Sequence, residues 1–156
     1  MTAPLRLSVR RSEAPPPGAT HRQIELSLRV PSDLGIIEEA VDIVARHCLA
    51  CGMSPRTARF RLRVALCEAL SNAIVYGNDL HADKRADVTV VVDDHTAAVR
   101  VTDEGDGFDP DQVADPTTPD RLEIDAGRGL FLIRQLVDEV SFNDRGNSIC
   151  MILNLD

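Results

Sequence analysis

Ile24, Leu26, Leu28 and Val30 alternate with Gln23, Glu25, Ser27 and Arg29. A period of two predicts a strand buried on one side. The period then lengthens: Leu34, Ile37, Val41, Val44 and Cys48 recur at steps of three and four, which predicts an amphipathic helix. Ser32 or Asp33 can cap its start and Gly52 can end it. Ser54-Pro55 restarts the chain with an N-cap and a first-turn proline. A second helix runs to about Gly77, with Leu62, Leu66, Ala69, Leu70 and Ala73 on its buried stripe.

Beyond Gly77 the pattern returns to strands. Ala86–Asp93 and Ala97–Asp103 are rich in Val and Ala, and Asp94-His95-Thr96 joins them as a hairpin. A third helix is predicted from Gly127–Gly129, with Leu130, Ile133, Leu136 and Val137 facing inward. Val140–Asn143 and Ser148–Leu155 form a closing hairpin around residues 144–147. This order predicts an α+β fold: a two-layer sandwich with a mixed, mostly antiparallel sheet and about three helices on one face.

A chain of 156 residues fits one such domain. Residues 1–22 hold four of the nine prolines and four arginines, so they read as a disordered Pro/Arg tail ahead of a domain over 23–156. The net charge of −8 argues against direct nucleic-acid binding, which needs a basic footprint. No apolar run approaches a membrane span and the start lacks a secretory apolar segment, so the expected protein is soluble and cytoplasmic. Cys48 and Cys51 form one CxxC beside His47, and a zinc site would need a second close pair. They read as small, half-buried side chains, and Cys67 and Cys150 as core residues within apolar runs.

Three places carry polar groups that the core does not need. Glu68 and Asn72, four apart on the second helix, share a face within the apolar run VALCEALSNAIVYG. Burial of unpaired polar groups is costly, so they face either water at the helix edge or a cleft. In a cleft, Glu68 accepts a proton and Asn72 offers an oxygen to a hard cation. Asp103-Glu104-Gly105-Asp106-Gly107 follows a strand directly, and its glycines allow close backbone approach to a ligand. The same run fits a plain acidic turn; a calcium loop is disfavoured because no register puts Glu at the twelfth position. Gly127-Arg128-Gly129 opens an apolar helix, where free amides can hold a phosphate or a loop can simply feed the core.

Together, in this order, ExxxN on a helix, DxGxG after a strand and GxGL opening a helix resemble the N, G1 and G2 boxes of the GHKL ATPases. The runs EALSNAIVYGN, DEGDGFDP and GRGLFLI are most similar to the single-domain anti-sigma-factor serine/threonine kinases, over about residues 23–155. That resemblance implies a histidine-kinase-like ATPase fold, with ATP and Mg²⁺ as cofactors. It implies Glu68 as general base, Asn72 as Mg²⁺ ligand and Asp103 as acceptor for the adenine amino group. Gly105 and Gly107 would lie under the nucleotide, Gly127 and Gly129 would hinge an ATP lid over about 108–126, and Arg128 would stand beside the phosphate at the helix start. Ser148 falls near a family threonine that supports the adenine site. The partners implied are a STAS-domain anti-anti-sigma protein, a sigma factor or both, and the homodimer that family members often form. A nucleotide-gated binding module without phosphotransfer is the alternative, and the absence of a P-loop GxxxxGK[ST] excludes a Walker-type site. The segment from Asp103 to Asp125 holds nine acids and one arginine, so an anionic nucleotide needs Mg²⁺ to offset repulsion there.

Overall fold

The structure is a computed structural model that describes residues 4–12, 23–107 and 124–156. Its strands are β1 (Arg6–Ser12), β2 (Gln23–Pro31), β3 (Arg85–Val92), β4 (Thr96–Thr102), β5 (Glu139–Phe142) and β6 (Ser148–Asn154). They form one sheet in the order β1-β2-β3-β4-β6-β5, with every pairing antiparallel. The helices α1 (Ile37–Ala50), α2 (Arg63–Asn72) and α3 (Ile124–Leu136) pack on one face. This is the expected α+β sandwich.

Register explains the burial. Leu26 pairs with Val90 and Val90 with Val99, and Val99 pairs with Met151, so one row of apolar side chains crosses four strands. All four are buried beneath the helices. Intervening residues face away, which corrects one expectation. Cys150, next to Met151 and paired with Arg100, points to the opposite face and is only half-buried. Cys67 is also half-buried at the core margin, so neither thiol is a core residue. Cys48 is in the core, and burial above all, with Cys51 second, pushes its thiol up to about 12. It therefore stays protonated near neutral pH.

Asp33 caps the first helical turn through Gly35 N (2.8 Å), and Gly52 ends α1 at φ +104. Leu34, expected on the buried stripe, lies in the preceding 3₁₀ turn and is exposed. Ser54 Oγ accepts from Thr57 N, as an N-cap does. On either side of α2 the helical rod widens, over Thr57–Leu62 and over Ala73–Gly77. At the second widening Asn78 N donates to the Ala73 carbonyl (2.7 Å), one residue further back than an α-helix allows.

Two segments depart from expectation. Arg6–Ser12, placed above in a disordered tail, is an edge strand with Leu7 opposite Leu28 and Val9 opposite Leu26. Its period of two was present in Leu5, Leu7 and Val9, and it becomes a strand because β2 offers an open edge to pair with. Helix α3 begins at Ile124, three residues before Gly127. Gly127 and Gly129 therefore lie within the helix, and their amides are past its free N-terminal end. The lid expected over about 108–126 falls mostly outside the described residues.

Candidate functional site

Helices α2 and α3 run side by side, and Arg61 fixes their relation. Its Nε donates to the Leu136 carbonyl (2.8 Å) at the end of α3, and its guanidinium lies 3.5 Å from Asp138. On the other flank Arg63 bonds Asp42 of α1 at 2.7 Å. At the opposite end of the α2–α3 seam sits Gly129. A Cβ there would lie 2.8 Å from Glu68 Oε2 and 3.3 Å from Asn72 Nδ2. The missing side chain lets α3 come close while the carboxylate and the carboxamide keep their places.

Asn72 also lines a cavity of about 300 Å³ between the helices and the sheet. Asp103, Gly107 and Ser148 line it with Asn72, and Ala69, Ala73, Val101 and Ile149 supply apolar wall. A concave, mostly apolar space with a few convergent polar groups is the usual form of a small-molecule site. Glu68 and Gly129 sit next to Asn72, just outside that wall. Gly105 and Gly127 are buried, whereas Arg128 is exposed on α3 and takes no part in the cavity wall. The structure thus brings Glu68, Asn72, Asp103, Gly105, Gly107, Gly129 and Ser148 to one end of the sandwich and leaves Arg128 at the surface.

Asp103 is held from several directions. Its amide donates to the Asn147 carbonyl (2.9 Å), and its own carbonyl accepts from Asn147 Nδ2 (3.1 Å). Its Oδ1 accepts from Gly105 N (2.8 Å), closing a tight turn. Gly77, at the end of the widened helical turn, lies directly against the carboxylate, where any side chain would collide with it. Gly107, at φ +85, packs on the Arg145 carbonyl of the β5–β6 turn. Ser148 Oγ hydrogen-bonds Thr102 Oγ1 (2.8 Å) across the paired strands. Asn147 and Gly77 also hold Asp103, although neither stands out in the sequence as a site residue. Gly77 ends the run that was singled out, while Asn147 sits in a turn whose closeness to Asp103 is a product of β4–β6 pairing.

Burial is the largest influence on Asp103 and raises its pKa; the Gly105 hydrogen bond, Lys84 and Arg145 pull the other way. A raised folded-state pKa means that the native chain holds this proton more tightly than the unfolded chain. Stability from this group is therefore greatest below the ordinary carboxylate range and falls as pH rises through the raised value. Asp103→Asn removes that titration and keeps an oxygen for Gly105 N. The variant is expected to be more stable than wild type at pH 7, with the difference vanishing toward pH 3. Denaturant midpoints measured across that range check this, and a variant less stable at pH 7 would refute it.

A serine-protein kinase RsbW of Listeria monocytogenes is 31% identical over 97 residues, 58% of this chain and 62% of the relative. An anti-sigma F factor of Bacillus subtilis is 25% identical over 84 residues, 53% of this chain and 58% of the relative. The matches span about three fifths of the length of these curated relatives. No helix among the described residues is long and apolar enough to cross a membrane. Residues 30–153, from the end of β2 to the last strand and including the whole cavity, match the histidine kinase-like ATPase domain, and the chain belongs to that family.

Proposed function

We propose that this domain binds ATP with Mg²⁺ and transfers the γ-phosphoryl group to a serine or threonine of a STAS-domain anti-anti-sigma partner. In this reading it also captures a sigma factor and acts in the cytoplasm on transcription. The observation that carries the proposal is the meeting of Glu68 and Asn72 at Gly129, beside a cavity that also holds Asp103. The names of the relatives, a serine-protein kinase and an anti-sigma factor, support the choice of reaction and partner.

The residues fit a nucleotide. An apolar slot with one fixed carboxylate suits a flat heterocycle bearing an amino donor, and Asp103 would accept from it. Asn72 would hold Mg²⁺ through its carboxamide oxygen, the hard donor that this cation takes. Bound there, Mg²⁺ would neutralise phosphate charge, which phosphoryl transfer requires more than covalent help. Glu68, one turn before Asn72, would take the proton of the attacking hydroxyl as its oxygen bonds to the γ-phosphorus and ADP departs. Asn147 and Gly105 keep Asp103 aimed, so recognition and transfer occupy separate ends of one site.

Titration calorimetry with ADP tests the binding half. Wild type is expected to bind ADP more tightly with Mg²⁺ than with EDTA. Asn72→Ala should lose at least about 10-fold of the Mg²⁺-dependent affinity, since removing even an outer-shell partner of a metal ligand costs about 10- to 100-fold. Its EDTA affinity should stay near wild type. A folded wild-type protein that binds no adenine nucleotide would overturn the proposal.

A further inference from the structure

Among the described residues only Thr57, Asn78 and Ser148 are buried polar side chains, and Asn78 is 0% exposed. It follows Gly77 at the end of the widened helical turn, and its side chain connects three parts of the fold. Asn78 Oδ1 accepts from Glu104 N (2.8 Å), the amide next to Asp103. Asn78 Nδ2 donates to Ser32 Oγ (3.0 Å), and Ser32 Oγ donates to the Lys84 carbonyl (2.8 Å). The orientation of the amide group follows from its partners: a backbone N–H can only donate, so the side-chain oxygen must face Glu104.

From this we infer that Asn78 is a positioning residue for nucleotide recognition, setting the aim of the Asp103 carboxylate. The inference rests on the reading of Asp103 as the group that meets the base. Asp103 is pinned through Asn147 on the β5–β6 side, and Asn78 pins the following residue on the helix side. With both anchors, the peptide between Asp103 and Glu104 is fixed at either end. Removing Asn78 leaves Glu104 N without its acceptor in a half-buried turn. The peptide then rotates toward water and carries Asp103 with it. Because Gly77 presses directly on that carboxylate, a small rotation changes which way its free oxygen points.

This role makes a prediction that a purely structural asparagine would not. The expected loss falls on discrimination between bases, not on phosphate binding. In calorimetry with Mg²⁺, the preference of wild type for ADP over GDP should shrink by about 10- to 100-fold in Asn78→Ala, the scale of losing a hydrogen bond to a charged group. Asn78→Ala should have almost no further effect on that preference in an Asp103→Asn background, because both changes remove the same recognition. Ser32→Ala is the milder variant; it deletes one partner of Asn78 Nδ2 and should reduce the preference less.

The outcomes separate cleanly. If wild type binds neither nucleotide, the nucleotide reading itself fails and this inference goes with it. If wild type prefers ADP and Asn78→Ala folds with that preference intact, Asn78 is structural only and the inference is overturned. Additive effects of Asn78→Ala and Asp103→Asn would also overturn it. Should Asn78→Ala fail to fold, Ser32→Ala decides: a reduced preference supports the positioning role and an unchanged one refutes it.

Discussion

Glu68→Gln is expected to bind Mg·ADP as tightly as the wild type and to transfer phosphate to its partner about 10²- to 10⁴-fold more slowly, the range for losing a general base. The geometry separates the two effects. Glu68 lies against Gly129 and Asn72, outside the cavity wall that Asp103, Val101 and Ile149 help to form. Glutamine keeps the shape of the side chain, so the α2–α3 seam should pack as before, but a neutral amide cannot take the hydroxyl proton. Single-turnover transfer of labelled phosphate to a STAS-domain partner reads the rate, and calorimetry reads the affinity. Gly129→Ala is the geometric companion to this variant. Alanine suits a helix better than glycine by up to about 1 kcal/mol. Its Cβ would nonetheless arrive 2.8 Å from Glu68 Oε2, and the carboxylate must swing away. The variant is therefore expected to melt no lower than wild type while transferring phosphate more slowly. Transfer by Glu68→Gln at the wild-type rate would show that Glu68 is not the base. A wild type that captures partners in an ATP-dependent way without transferring phosphate would replace the kinase reading with a nucleotide-gated binding module.

The second large effect is expected at Gly105. An added Cβ would run into the Gly77 carbonyl, with the carbonyl carbon at 2.7 Å, and would stand 3.0 Å from Asp103 Oδ1. A backbone carbonyl cannot rotate aside as a side chain can. Either the end of the helix or the turn after β4 must move. Each movement strains the 2.8 Å bond from Gly105 N that fixes the Asp103 carboxylate. Gly105→Ala should lose about 1–3 kcal/mol of stability, as overpacked sites do. It should also lose measurable adenine-nucleotide binding, because the carboxylate proposed to meet the base is displaced. Gly52→Ala provides the comparison. Gly52 has φ +104 and nothing within 4 Å of an added Cβ, so that change strains the backbone far from the cavity. Its stability should fall by about 1–2 kcal/mol, the cost of a left-handed non-glycine residue. Its nucleotide affinity should remain that of wild type. Equal affinity losses in the two variants would mean that Gly105 acts through global stability alone.

Much of this molecule was legible from local sequence. The alternation of Ile24, Leu26, Leu28 and Val30 and the three-four spacing from Ile37 to Cys48 are periodic signals, and they gave β2 and α1 because side-chain direction repeats with backbone geometry. The runs around Glu68, Asp103 and Gly129, which gather at or beside one cavity, stood out because each keeps groups that a core would exclude. Tertiary structure decided the rest. Leu5, Leu7 and Val9 carry a strand's alternation, but a lone strand has nowhere to send its hydrogen bonds, and only the open edge of β2 makes Arg6–Ser12 a strand. Cys150 read as core because its run is apolar, whereas the β4–β6 register sets its face and opposes it to Arg100. Gly129 read as a helix-opening hinge, and its buried place against Glu68 depends on how α3 lies along α2. Asn78 and Asn147 converge on Asp103 from positions 25 residues before it and 44 after it. No local pattern encodes that meeting, because hydrogen bonds between distant segments exist only once the sheet has brought the segments together.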